Sequence, residues 1–342
     1  MGETKLSLVE NNDGVVASWF AQDSSAAGAQ YGLIGALVTA TMDGIANGGP
    51  MDQAQRAADD LATVASVDQI NNGLVEQLKG ATVSETYKVR FGDIVKTQQL
   101  GLSEKERAAP DDTIELTVNY TLSQDASTLK VVGNATYSRA GATYTTPYTF
   151  KTVPEEELSG PLYRNSFIYE SDRVTAPAPT AEMKAEWAEQ VRTRYFKRHG
   201  KLPVKGGSGY GGYEAALAEA NNDTMTAEEA NGVLSKGWTL NNGEALLREL
   251  RAAHAFFAKY LLRDLNTHAV PSLEGHDDIL ETLPDGRVVR IVGAGGGAGA
   301  YISSPGHLTA PTTWGNAVAS AKVNRDRAQA IGDAVKKAKA GK

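Results

Sequence analysis

Thr113 to Leu122 reads TIELTVNYTL, and its alternation decides how the rest of the chain is read. Ile114, Leu116, Val118, Tyr120 and Leu122 fall on one face, with Thr113, Glu115, Thr117, Asn119 and Thr121 on the other. This is the period-two pattern of a half-buried strand. Outward from it, the turn at Ser123 to Ser127 leads to a second β-rich run, Thr128 to Ser138. Arg139-Ala140-Gly141 leads to a third, Thr143 to Thr152, and Thr82 to Phe91 alternates upstream. Short connections between successive strands predict antiparallel neighbours, and one polar face per strand predicts a sheet solvated on one side. Leu6 to Phe20 alternates weakly and is read as one strand or an extended arm.

The sheet needs a cover. Gly28 to Gly44, GAQYGLIGALVTATMDG, is the most apolar stretch of the chain. Its uninterrupted apolar part is about a dozen residues, short of the roughly 20 that span a bilayer. It is read as a buried helix whose Gly32 and Gly35 admit a neighbouring backbone. Asn47-Gly48-Gly49-Pro50 breaks the chain, and Met51 to Gln69 and Asp68 to Leu78 follow with apolar residues at helical spacing. The expectation for the first half is therefore α+β, an antiparallel sheet packed against helices.

Ala176-Pro177-Ala178-Pro179-Thr180 is read as a linker, because paired prolines favour extended backbone. A helix from Thr180 or Ala181 to Arg198 follows, with Trp187, Val191 and Tyr195 on one stripe and a basic C-terminal end before Gly200. Glu244 to Leu265 carries the most continuous apolar stripe, through Leu246, Leu250, Phe257 and Leu261. Asp285-Gly286 marks a β-hairpin between Ile279 to Leu283 and Arg287 to Val292. The domain expectation is an α+β domain over 1–175, a mainly helical region with a β-hairpin over 176–313, and a basic C-terminal helix or tail over 314–342.

Composition removes several function classes. The 342 residues contain no cysteine, which rules out thiol nucleophiles, disulfides and zinc-thiolate sites built by this chain. A net charge of −7 argues against nucleic-acid partners, which need a concentrated basic surface. The glycine-rich Gly206 to Tyr213 lacks the Gly-Lys-Ser/Thr of a phosphate loop. Gly293 to Gly299 is not followed by the helix that a dinucleotide fingerprint requires, and is read as a hairpin connection. No cofactor and no metal site is expected.

Histidine titrates near neutral pH and is the natural proton carrier, so His254, His268 and His276, with Asp277 or Asp278 as carboxylate partners, are the candidate catalytic groups. Tyr163, Arg164, Tyr169, Tyr210 and Tyr213 are the candidate binding residues. Their aromatic faces can pack on a ligand, and Arg164 can pair with a carboxylate.

The run YGLIGALV at Tyr31 to Val38, the amphipathic helix after it, the alternating strands and then PLYRNSFIY at Pro161 to Tyr169 resemble a loose group of uncharacterised Gram-negative envelope lipoproteins. The likeness covers roughly the first half of the chain. It implies a small-residue-rich helix preceding a sheet, and a cell-envelope setting. The group carries a lipid-bearing cysteine after its signal, and this sequence has none. Periplasm or outer membrane is the expected location if the native signal is missing from this chain, and cytoplasm otherwise. The leading functional expectation is a non-enzymatic envelope protein, structural or scaffolding, with a protein partner or self-association and a possible membrane or cell-wall contact. The alternatives are a hydrolase using a His/carboxylate pair, and a glycan or small-ligand binding module using exposed tyrosines.

Overall fold

The computed structural model describes residues 4–19, 51–79, 89–97, 113–138, 163–267, 278–294, 298–306 and 316–340. The expected buried helix at Gly28 to Gly44 and the expected strand at Thr143 to Thr152 lie outside them.

In chain order the elements are β1 (Thr4–Val9), β2 (Val15–Trp19), α1 (51–64), α2 (Val67–Lys79), β3 (Val89–Thr97), β4 (Thr113–Leu122), β5 (Leu129–Ser138) and β6 (Tyr163–Glu170). Then come α3 (Ala181–His199), α4 (Tyr210–Ala220), α5 (Ala227–Gly237), α6 (Leu240–Thr267), β7 (Asp278–Thr282), β8 (Arg287–Ala294), β9 (Ala298–Pro305), β10 (Asn316–Val318) and α7 (Ala321–Ala340). Two compact units result, 1–173 with 235–342, and 174–234.

The strands of the first unit form one mixed sheet, with β4-β5-β6-β9-β8-β7 as consecutive neighbours. Two readings of the sequence are corrected here. The sheet is not simply antiparallel: β1 and β2 both run parallel to β4, and β6 runs parallel to β9. Nor is the second half a separate helical region carrying a hairpin. Through the β6–β9 pairing, β7, β8 and β9 extend the same sheet, while α1 and α2 place helices early in the chain. The physical reason is that alternation reports which residues face a core. It carries no information on which strand, 130 residues away, supplies the hydrogen-bond partner.

β1 and β2 behave as one strand with an insertion. Val9 pairs with Thr117 and Val15 with Tyr120, so six steps on one side match three on the other. Asn11 shapes the extra residues: its Oδ1 accepts from the amides of Asp13 and Gly14, and its Nδ2 donates to the carbonyl of Val118. From α2, the buried Asn71 closes the bulge as a strand would. The Asn11 amide donates to Asn71 Oδ1 at 3.1 Å, and Asn71 Nδ2 donates to the Asn11 carbonyl at 3.0 Å.

The expected inward face of β4, Ile114 through Leu122, is buried, and register carries that face across Val131, Phe167, Tyr169, Tyr301 and Val289. α6 packs against β5 and β6, and against α2. Leu246, Leu250, Phe257, Leu261 and Leu265 form the fully buried stripe. Each is worth roughly 1.5–3 kcal/mol of transfer free energy, enough to hold the helix in place against the polar groups it also buries. Its entry is left-handed at Asn241, Asn242 and Gly243, and a Cβ on Gly243 would stand 2.8 Å from Val64 of α1.

In the second unit, α3 and α4 pair as a helical hairpin with the Tyr195 and Tyr213 ring centroids 5.0 Å apart. Thr180 caps α3 by accepting from the Met183 amide, and Gly200, at φ 70°, ends it.

Candidate functional site

The helix-facing side of the sheet changes from apolar to polar between β5 and β8. Alternation puts Asn165 and Tyr169 of β6 on that side, and register sets Tyr301 and Ser303 of β9 beside Phe167 and Tyr169. Facing them, α6 presents Glu249, Phe256, Tyr260 and Asp264 at spacings of seven, four and four residues, a stripe adjacent to its apolar one.

At one end Asp264, 5% exposed, accepts from Asn165 Nδ2 at 2.8 Å and from the Tyr301 hydroxyl at 2.9 Å. Burial and the Asp264 charge push the Tyr301 phenol up, so it remains a donor. Midway, the Tyr260 hydroxyl and Lys259 Nζ both bond to Glu281 of β7. These contacts tie α6 to the sheet.

The other end is open. Glu249 and Arg287 are each 6% exposed. Glu249 accepts from the Tyr169 hydroxyl at 2.8 Å and from Arg248 Nε at 3.2 Å, and the Arg287 guanidinium stands 4.0 Å from the same carboxylate. Arg287 also lies over the Tyr169 ring at 4.5 Å, donates to the Glu170 carbonyl at 2.6 Å and reaches Asp172 at 3.4 Å. The hairpin turn delivers it: Gly286 at φ 83° turns the chain, and the Arg287 amide donates to Asp285 Oδ1. Burial, followed by the charge of Glu249, pushes the Tyr169 phenol up, so Tyr169 donates throughout the ordinary pH range.

Above this pair lies a cleft of about 380 Å³. Ala252, Ala255, Phe256 and Leu283 form its apolar wall, and Asp172, Asp285, Arg248 and Lys259 contribute its other charges. Ser303 also lines it, 1% exposed, and its Oγ has no hydrogen-bond partner among the described residues. A buried hydroxyl left unpaired costs about 1–3 kcal/mol, so this oxygen is a point where a ligand gains by binding.

Tyr169 is part of the cleft. Tyr163 and Arg164 lie on β6, opposite Tyr137 and Thr136, with only their backbone described. Tyr213 is buried against Tyr195 in the second unit, where Tyr210 opens α4. His254 is 2% exposed and bonds to the Tyr120 hydroxyl at 2.9 Å, and it is not among the residues lining the cleft. Burial lowers its pKa from 6.5 to about 4. His268, His276 and Asp277 lie outside the described residues, and Asp278 is described only as a β7 backbone position opposite Ile291. Among the described residues no three His, Asp or Glu side chains group as metal ligands.

Glu249, Arg287, Ser303 and Asp264 are not found by reading the sequence. The two acids sit fifteen residues apart on α6, with Phe256 and Tyr260 between them on the same stripe, but the other charged residues of that helix keep them from standing out. Nothing local marks Arg287 or Ser303, whose roles depend on strand register. Compared with protein-family models, curated proteins and solved structures, the chain matches none.

Proposed function

We propose that this chain is a binding protein rather than a catalyst, and that the Glu249–Arg287 cleft receives a small organic ligand. The observation that carries this is the buried Ser303, whose hydroxyl has no hydrogen-bond partner among the described residues, in the lining of a cleft that also holds Glu249, Arg287 and an apolar wall. Few oriented polar groups set in an apolar lining are the usual make-up of a small-molecule site. Catalysis asks for a nucleophile with a base in reach, and Glu249 is instead held by Tyr169 and Arg248. Three carboxylates (Asp172, Glu249, Asp285) against three cations (Arg248, Lys259, Arg287) balance the lining, which favours a polar ligand without large net charge.

Thermal-shift and calorimetric titration with amino acids, dipeptides and disaccharides tests this. One of these classes is expected to bind, and Ser303→Ala to weaken it about tenfold, the equivalent of ~1.4 kcal/mol. The same substitution should leave the free protein as stable or more stable. Failure of all three classes to bind the wild type would overturn the reading.

A scaffolding role at the cell envelope, through protein or surface contacts, is the second reading. It is favoured by the family resemblance of the first half and by the exposed basic end of α3. Fractionation of native cells checks it; recovery wholly in the cytoplasmic fraction counts against it.

A further inference from the structure

From Gln190 to Tyr213 the chain carries six Lys and Arg residues and not one carboxylate, in a protein whose net charge is −7. The structure gathers them at one place, the last turns of α3 and the connection to α4. Arg192 pairs with Glu189, whereas Arg194, Lys197, Arg198, Lys201 and Lys205 are exposed and have no ion-pair partner among the described residues. The C-terminal helix α7 is basic as well, but there Lys322 is drawn to Asp326 and Lys336 to Asp333.

Apolar side chains are turned outward among these cations. Val204 is 72% exposed, Phe196 56% and Leu202 37%, three of the six large apolar residues exposed among the described residues. Phe196 lies on α3, and Leu202 and Val204 on the connection after it. Gly200 and Gly206, at φ 70° and 80°, bracket Lys201 to Lys205, and the Gly207 amide donates to the Val204 carbonyl at 2.9 Å, closing a turn that Val204 opens and that has Lys205 and Gly206 at its corner.

We propose that this tip docks on an anionic phospholipid bilayer, with Phe196, Leu202 and Val204 entering the headgroup layer and the surrounding cations pairing with lipid phosphates. Unpaired cations gain from a negative surface without first breaking a salt bridge, and apolar side chains among them gain only where an acyl boundary is present. A nucleic acid would satisfy the charges, but it offers Leu202 and Val204 nothing; its readers present rings for stacking. This site is independent of the cleft and stands whether or not the cleft binds a ligand.

The test is co-sedimentation of the full chain with vesicles of phosphatidylcholine alone and with one-third phosphatidylglycerol. Binding is expected to the anionic vesicles only, and to fall as salt is raised. Each of Arg194→Gln, Lys197→Gln and Lys201→Gln should lower the partition coefficient about fivefold. Phe196→Ala with Val204→Ser should lower it at constant charge, whereas Lys322→Gln and Lys336→Gln should not. All these positions are exposed, and unchanged circular dichroism confirms folding. Equal binding to both vesicle types, or loss on the α7 substitutions but not the tip substitutions, would overturn the proposal. So would binding to single-stranded RNA without binding to vesicles.

Discussion

The Tyr120 hydroxyl and Nε2 of His254 lie 2.9 Å apart in the interior, with their rings edge-on at a centroid separation of 5.7 Å. The pair joins the central strand β4 to α6, and Gly73 of α2 closes over it, since a Cβ there would stand 3.4 Å from His254 Nδ1.

Stability should therefore fall in mild acid. Burial holds the folded-state pKa of His254 at about 4, below its ordinary 6.5. Above pH 6.5 both folded and unfolded chains hold the neutral ring and this term is constant. Between 6.5 and 4 only the unfolded chain takes up the proton, so stability drops, by roughly 3 kcal/mol over the interval, and levels off below. Urea denaturation at pH 7, 6 and 5 measures this. The His254→Gln variant should lack this component of the slope, and an unchanged slope would remove His254 as its source.

Tyr120→Phe leaves a buried ring nitrogen without its partner. A loss of about 1–3 kcal/mol is expected, with the pH slope retained because His254 is still buried. Denaturation midpoints of the two variants separate the hydrogen bond from the proton.

Glu249 and Arg287 are expected to be strongly non-additive. Arg287→Met leaves the Glu249 carboxylate buried beside Tyr169 and should cost on the order of 3 kcal/mol. Adding Glu249→Gln removes the stranded charge and should recover a good part of that loss. A double-mutant cycle reads the coupling; simple additivity would show that Arg248 and Tyr169 alone hold Glu249.

Gly243 is constrained twice, by its φ of 75° and by Val64, 2.8 Å from where a Cβ would stand. Gly243→Ala should cost about 1–3 kcal/mol from backbone strain with a steric contribution on top. Val64→Ala in that background removes the Cγ2 contact and keeps the Cβ one, so it should relieve part of the steric contribution, and the double variant should be less destabilised than the sum of the two singles.

Asn71 substitutes for a strand where β1 passes to β2. Asn71→Ala unpairs the amide and carbonyl of Asn11 and should cost about 2 kcal/mol. Hydrogen exchange should then accelerate at the Asn11 amide more than at the amides of β4 paired with β1. Uniform acceleration would mean that the whole β1–β4 ladder depends on this contact.

Much of the local structure is legible in the sequence because local structure is a matter of periodicity. The alternation of Thr113 to Leu122 marks a strand and its inward face, the stripe from Leu246 to Leu265 marks a helix, and Asp285-Gly286 marks the turn that places Arg287. The candidate site was scarcely legible. Tyr169 was singled out as an aromatic binding residue, but its partners come from α6, β8 and β9, and no spacing along the chain relates them. The chemistry of His254 makes it a candidate proton carrier in sequence, and the fold uses it as a buried, neutral hydrogen-bond partner.

By itself, then, the sequence determined that Thr113 to Leu122 is a strand and that Leu246 to Leu265 lies in a helix, which of their faces are apolar, and that no thiol chemistry is available to this chain. Only the tertiary structure decided that the sheet is mixed, that the C-terminal hairpin extends it, and that Glu249, Arg287 and Ser303 meet at one cleft. The reason is physical. Burial patterns repeat every two or 3.6 residues and can be read locally. Backbone pairing is nearly independent of side-chain identity, so the choice of partner strand, and every site built across strands, is settled only when the whole chain packs.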